Sequence, residues 1–401
     1  MRKKTLAACV AAVILAMSMV VGTNVAGQSS NVKWLYLLYL DADNSLDVYT
    51  GAHHVSVVGS DFDELMSVGS TKDVACYVLV DRFAGPANLF KVDKGSMEEM
   101  KTSKLNGKEI NMGDPATLSS FISFASKENP ADHTLLIFWD HGSPRGVAWD
   151  DHASAAGGED FLSIWEVSQV LSNKKVDVVG ADECNVGQIE VAYEFATNTP
   201  TDYLVAAETY TGWRGFPYDW TLREMTENPD MTPREVAAMM IEQTQLLLNE
   251  APYMGERVNT HSAIDLSKVG ALVSSLRGLA DLLAADMDTY AGVVAKARGD
   301  AQYCYGANAI NLVDLRTLVA SIESQAVSDA IKDACAQVLA DFDSTIVGVQ
   351  ASGPLDNMVF GLGIALPDHS WELPSYYVDY AFSDHGWLSF LEAYWAVHGV
   401  V

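Results

Sequence analysis

At 401 residues, with 49% of them hydrophobic, the chain can bury a sizeable core in one large domain or two ordinary ones. Its 53 acidic residues against 25 basic ones give a formal net charge of −28 at pH 7, which argues against nucleic acid or anionic membrane as a partner. Five cysteines are too few for a disulfide framework in a chain this size, and none sits in a zinc-ligand spacing.

The first residues stand apart from the rest. Met1-Arg-Lys-Lys is a basic start, Leu6 to Val21 is an almost unbroken apolar run, and small residues follow at Gly22, Ala26 and Gly27. These are the three parts of a secretory signal peptide, so residues 1–27 are expected to be removed on export and the mature protein to be secreted, with no membrane contact after cleavage. Losing Arg2, Lys3 and Lys4 makes the net charge more negative still.

Lys33 to Leu40 reads as a first buried strand, leading into Asp41-Ala-Asp-Asn-Ser-Leu-Asp47. This loop lacks the glycine and closing glutamate of an EF-hand, so Asp43 or Asn44 is expected to cap a helix running through Val58. Lys72 to Asp81 is the next strand, and Ala87 to Val92 its hairpin partner. Asp114-Pro-Ala opens a helix to Ala125. Two apolar runs then end in reactive residues: Thr134 to His141-Gly142, and Val176 to Cys184. Bounded by turn-formers, and separated by a helix expected over Phe161 to Leu171, they read as neighbouring buried parallel strands. Their carboxyl ends would bring His141 and Cys184 to one edge of a sheet, where open α/β folds place their sites.

Beyond Cys184, Gln188 to Ala196 is helical in pattern and Asp202 to Glu208 is a strand. The aromatic and glycine-rich loop Thr209 to Trp220 is the expected wall of a specificity site. Pro233 to Leu248 is an amphipathic helix. A soft boundary near 258 separates a first domain, 28–258, from a C-terminal α/β subdomain, 259–401. The latter holds helices over Lys268 to Asp286 and Ser328 to Asp341, and apolar runs at Ala307 to Leu312 and Val359 to Leu366. It ends in the aromatic segment Trp387 to Trp395. Cys76 reads as a buried small hydrophobe, while Cys304 and Cys335 either pair or stay reduced. No self-complementary stripe stands out, so a monomer is expected.

A thiol is nucleophilic only as thiolate, and a neighbouring imidazole takes its proton. The backbone amides of Gly142 and Cys184 would serve a developing oxyanion if the two loops meet. A histidine and a distant cysteine are weak evidence alone, since most are structural. Their order, strand-His-Gly, helix, strand-Asp-x-Cys, resembles the clostripain family of cysteine peptidases, related to caspases, legumains and gingipains. The likeness includes Trp34 to Asp47, the histidine block Phe138-Trp-Asp-His-Gly142, the nucleophile block Asp182-Glu-Cys184 with Glu190 to Glu194, Trp213 to Tyr218, and Ala263 to Leu266.

The resemblance implies a caspase-like α/β/α sandwich with a mostly parallel sheet, and a His141–Cys184 dyad cleaving protein or peptide substrates after Arg or Lys. A basic P1 side chain needs a carboxylate at the pocket floor. Asp182 matches a family position lining that pocket; Glu208 and Asp219 are candidates by position in the sequence only. The alternatives are that Asp182 caps the following helix and that Glu208 pairs with Arg214. Glu183 departs from the small residue usual between the two, and its charge would alter the pocket or raise the thiol pKa. Asn185-Val186 replaces a larger apolar pair. Relatives are often activated by cleavage between the blocks at a basic residue; here Arg145 and Lys174-Lys175 are the nearest choices. No motif demands a cofactor or metal, although some relatives depend on calcium and the acid-rich loops would permit it. The competing readings are an inactive secreted binding or scaffold protein with the same fold, and a peptidase with a non-basic P1 preference.

Overall fold

The computed structural model describes residues 31–48, 57–154, 157–212, 214–250, 259–301, 312–326, 328–352 and 358–398. The signal segment, Trp213 and Cys304 lie outside them, as does most of the helix expected up to Val58.

In chain order the elements begin with β1 (Val32–Ala42), α1 (Ser45–Val48), α2 (Val57–Val68), β2 (Val74–Arg82), β3 (Asn88–Asp93), β4 (Ser96–Glu99), α3 (Pro115–Glu128) and β5 (Ala131–Trp139). The middle comprises β6 (Gly146–Asp150), β7 (Asp160–Ser163), α4 (Ile164–Leu171), β8 (Val178–Asp182), α5 (Ile189–Asn198), β9 (Tyr203–Ala206), α6 (Tyr218–Glu227) and α7 (Pro233–Glu250). The chain continues with β10 (Thr260–Asp265), α8 (Leu266–Ala284), α9 (Met287–Ala301), β11 (Leu312–Asp314), α10 (Leu315–Gln325), α11 (Asp329–Thr345), β12 (Ile346–Ala351), β13 (Gly363–Ala365) and α12 (Trp387–Val397).

Nine of the described strands form one sheet in the order β12-β10-β9-β8-β5-β1-β2-β3-β4. The five central strands from β9 to β2 are parallel, and the outer ones are antiparallel. Alternation along the strands splits the core in two. Leu35, Leu37, Tyr39, Leu136 and Phe138 face one apolar cluster, and Trp34, Tyr36, Leu38, Leu135 and Ile137 the other. Helices cover both faces, as a sheet buried on both sides requires, giving an α/β/α sandwich. The chain runs from β1 to β2 on one side and returns through β5, β8 and β9 on the other. The strand order therefore reverses beside β1, and the carboxyl ends of β1, β5 and β8 flank the crevice where such sheets bind ligands.

Local sequence explains where the elements differ from expectation. Phe161 belongs to the β6–β7 hairpin instead of a helix, because Ser163 and Glu166 form a capping box that starts α4 at Ile164. Of the run expected over Ala307 to Leu312, residues 307–311 lie outside the described residues; Leu312–Asp314 pairs with Gly363–Ala365 as β11 and β13, outside the main sheet. Beyond residue 258, β10 and β12 extend the main sheet from β9. No described helix is long and apolar enough to cross a membrane.

Candidate active site

The register of β5 and β8 sets the site. Trp139 pairs with Asp182, so His141 and Cys184 each lie two residues past the same level of adjacent parallel strands. The turns that follow touch. A Cβ on Gly142 would sit 2.6 Å from Glu183 Cβ and 2.8 Å from the Cys184 carbonyl oxygen. The glycine is thus required by the protein's own close approach at this point.

Asp140 shapes the histidine turn. Its buried carboxyl accepts the His141 and Trp149 backbone N–H groups and the Asn44 side-chain amide, the last at 2.6 Å. Burial drives this carboxyl's pKa well up, and the nearby Glu183 carboxyl adds to the rise. Asn44 also caps the turn after β1, its Oδ1 accepting the Leu46 N–H at 2.9 Å. The next residue, Ser45, places Oγ 2.9 Å from His141 Nε2. No motif singled out Ser45; the only signal was a polar turn at the end of the strand beside the reversal. His141 stands at the surface, yet desolvation by the surrounding protein lowers its imidazole pKa. It is therefore largely neutral, and able to accept a proton, at neutral pH.

Cys184 is half-buried, and its Sγ receives the Thr211 N–H at 3.4 Å. The Thr211 hydroxyl donates to the Glu183 carbonyl at 2.8 Å, and Asn185 N–H donates to Thr209 O at 2.6 Å. Asn185 has φ +59°, the left-handed region that asparagine tolerates, which turns the chain sharply after the cysteine. His261 packs behind Thr211, and burial lowers its pKa to about 3, so it is neutral.

The candidate pocket acids differ in their engagements. Asp182 is buried, and its Oδ2 accepts Phe216 N–H at 2.9 Å and the Tyr218 hydroxyl at 2.7 Å. Its Oδ1 is buried with no hydrogen-bond partner. Burial raises its pKa to about 6, against the lowering effect of Tyr218 and Phe216. Gly215, at φ +58°, is forced by this packing, because a Cβ there would lie 2.0 Å from Asp182 Oδ2. The cap of α5 is Gln188, not Asp182. Glu208 is buried and accepts the Gly361 N–H at 2.8 Å, while Arg214 is 3.8 Å from Glu64. Asp219 lies in the first turn of α6, 3.4 Å from Arg223.

Glu183 does not face the thiol's surroundings as a charge. Its side chain folds under Gly142, 1% exposed, and burial raises its pKa well above the ordinary value, disfavouring the charged form. Among the described residues no group of three or more His, Cys, Asp or Glu side chains is arranged to hold a metal ion. Lys174 reaches Ser123 and Lys175 reaches the Asp132 carbonyl, both ahead of β8 and at the opposite end of the strand from Cys184.

The family model for the clostripain family matches residues 38–395. The chain belongs to the clostripain family. Clostripain from Hathewaya histolytica is 28% identical over 233 residues, 49% of this chain and 43% of that protein, so less than half the relative's length is spanned. Two solved structures share the fold. One is a secreted C11 cysteine protease from Bacteroides thetaiotaomicron in complex with an irreversible peptide inhibitor (TM-score 0.66, 17% identity, 88% of this chain and 99% of that one). The other is an inactive zymogen C11 protease from Parabacteroides distasonis (TM-score 0.66, 18% identity, 89% and 98%). Within the clostripain family, then, this chain carries the histidine and cysteine blocks at the carboxyl edge of β5 and β8.

Proposed function

We propose that this chain is a secreted cysteine endopeptidase that cleaves after Arg or Lys through His141 and Cys184. The observation that carries the reading is the packing of Gly142 against the Glu183–Cys184 backbone, which supports a shared working edge for the two blocks. With Ser45 engaging Nε2, the other imidazole nitrogen, Nδ1, is the one left to take the thiol proton. The thiolate attacks the scissile carbonyl carbon, forming a C–S bond. The Gly142 N–H, which donates to no described residue, and the Cys184 N–H stabilise the oxyanion. The imidazolium then protonates the leaving amine as the C–N bond breaks. Water, deprotonated by His141, hydrolyses the thioester and restores the thiol.

Asp182 Oδ1, buried and unpartnered, supports the assignment of this carboxylate to a basic P1 side chain. Glu208, which accepts the Gly361 N–H, and Asp219, beside Arg223, are further candidates. Export rests on residues 1–27, and the Bacteroides relative is described as secreted.

The test pairs a thiol-reactive probe with fluorogenic substrates bearing Arg, Lys, Asn or Asp at P1. Labelling should vanish in Cys184→Ala and weaken in His141→Ala, with turnover confined to Arg and Lys. Turnover of only the Asn or Asp substrate would overturn the P1 assignment. Absence of both labelling and turnover would favour an inactive binding protein.

A further inference from the structure

Four residues past His141 the chain reaches Arg145, at the tip of a tight turn in which Ser143 and Gly146 exchange backbone hydrogen bonds of 3.1 and 3.2 Å. The Arg145 guanidinium lies 4.3 Å from the centre of the Phe161 ring and 5.8 Å from those of Trp149 and Tyr376. Trp149 and Phe161 stack at 4.2 Å, and the Trp149 backbone N–H is held by Asp140, the residue before His141. On the other side the Tyr380 hydroxyl donates to the Pro144 carbonyl. Arg145 thus lines a cavity of about 400 Å³ whose walls include Phe161, Trp165, Tyr376 and Tyr380. Trp165 is 53% exposed at its mouth.

This arginine is unusual for the chain. Basic residues are outnumbered two to one by acids, yet Arg145 has no carboxylate within 4.0 Å among the described residues. Asp379 lines the same cavity without pairing with it. Aromatic faces hold the guanidinium plane while leaving its N–H edge able to bind a carboxylate in a bidentate manner. A cavity of this size suits one or two amino-acid side chains. Four residues of chain span at most about 14 Å, and an extended peptide advances about 3.4 Å per residue. A substrate passing His141 therefore reaches Arg145 within about four residues of the scissile bond.

We propose that the Arg145 cavity is a substrate subsite that takes an acidic side chain, Glu or Asp, of the polypeptide within about four positions of the cleaved bond. The ligand assignment rests on the peptidase reading above. The subsite is separate from the pocket for the P1 residue, and selects peptides in which a basic residue is followed or preceded at short range by an acid.

The experiment uses quenched fluorescent peptides with Arg at P1 and a single Glu, Gln or Lys walked from P4 to P4′. The ratio of kcat/KM for Glu over Gln is the readout, so any general loss of activity in a variant cancels. A hydrogen-bonded charge pair gives a preference of about ten-fold. That preference should appear at one position in the wild type, disappear in Arg145→Gln, turn toward Lys in Arg145→Glu, and increase in Asp379→Asn. Equal turnover of Glu and Gln peptides at every position, or a Glu preference that survives Arg145→Gln, overturns the subsite while leaving the peptidase reading intact. Should no peptide be cleaved, the peptidase reading fails, and tryptophan emission decides the subsite. A change in Trp149 and Trp165 emission on adding the Glu peptide, absent with Gln and absent in Arg145→Gln, retains the acid-binding cavity, and no change rejects it.

Discussion

Gly142→Ala tests whether the contact between the two turns sets the catalytic geometry. The added Cβ would meet Glu183 Cβ at 2.6 Å, with the Cys184 carbonyl oxygen and Glu183 Oε2 each at 2.8 Å. Ordinary contact begins near 3.4 Å, so the histidine and cysteine turns must part by about 0.6–0.8 Å. Two of the three atoms are backbone or directly attached to it, and cannot swing aside. The stability cost of such overpacking is about 1–3 kcal/mol, which a large chain survives. A misplacement approaching 1 Å between reacting groups costs about 100-fold in rate. We expect kcat/KM to fall by roughly 30- to 100-fold, with slower labelling of Cys184 and a denaturation midpoint only modestly lowered. In a Glu183→Gly background the same substitution should cost less, because two of the three crowding atoms are gone. Gly142→Ala enzyme within three-fold of the wild type would refute the argument that this approach positions the pair.

Three further outcomes follow from the site. Asp182→Asn should reduce turnover of Arg and Lys substrates by about 100-fold or more, the usual result of removing one partner of a buried charge pair. Because burial raises the Asp182 carboxyl to about 6, kcat/KM for an Arg substrate should decline as pH falls through about 6. An identical decline in Asp182→Asn would assign that limb elsewhere. Ser45→Ala removes the 2.9 Å partner of His141 Nε2 and should lower kcat about five-fold with KM unchanged, the worth of one ordinary hydrogen bond. Asp81, buried beside Glu109 and Asp150, has its carboxyl raised to about 9. A folded-state pKa above the unfolded one gives stability that is full below about pH 4 and lost as pH rises toward 9. Asp81→Asn should flatten the decline in unfolding free energy between pH 5 and 8 by up to about 1.4 kcal/mol per pH unit. An unchanged slope would remove Asp81 from the account.

The strands that carry the site were legible because each is an apolar run closed by a polar turn, and because a parallel pair needs a crossover between them. Boundaries were less so. Phe161 looks helical by periodicity, but its ring stacks on Trp149 across a hairpin, a partner twelve residues away that no local pattern reveals. Ser45 was missed for a similar reason. Its role depends on β1 lying next to β5, a neighbour relation 96 residues apart in sequence. The reading of Glu183 as a charge near the thiol failed on burial. Position beside Cys184 says nothing about direction, and the side chain turns beneath Gly142, where ionisation is disfavoured. In the acid-rich loop after β1 the side chains serve as caps and braces. Asp43 holds His152 at 2.7 Å, and Asp41 accepts the Asp43 N–H at 3.2 Å.

Those internal acids change how the chain's charge acts. Asp41, Asp61, Asp81, Asp140 and Glu183 are all buried with pKa values pushed upward chiefly by desolvation, which disfavours their charged forms. Burial of these groups thus weakens their share of the formal charge of −28, and the field outside the molecule belongs chiefly to carboxylates at the surface. Around His141 and Cys184 the acids work as an acceptor and a spacer: Asp140 gathers three donors to fix the histidine turn, and Glu183 fills the space beneath it. Replacing Asp140 by its amide keeps the shape but introduces two N–H donors where the surroundings already donate. The histidine turn is thus tied to the hydrogen bonds that the Asp140 carboxyl accepts, in a setting where burial disfavours its charge.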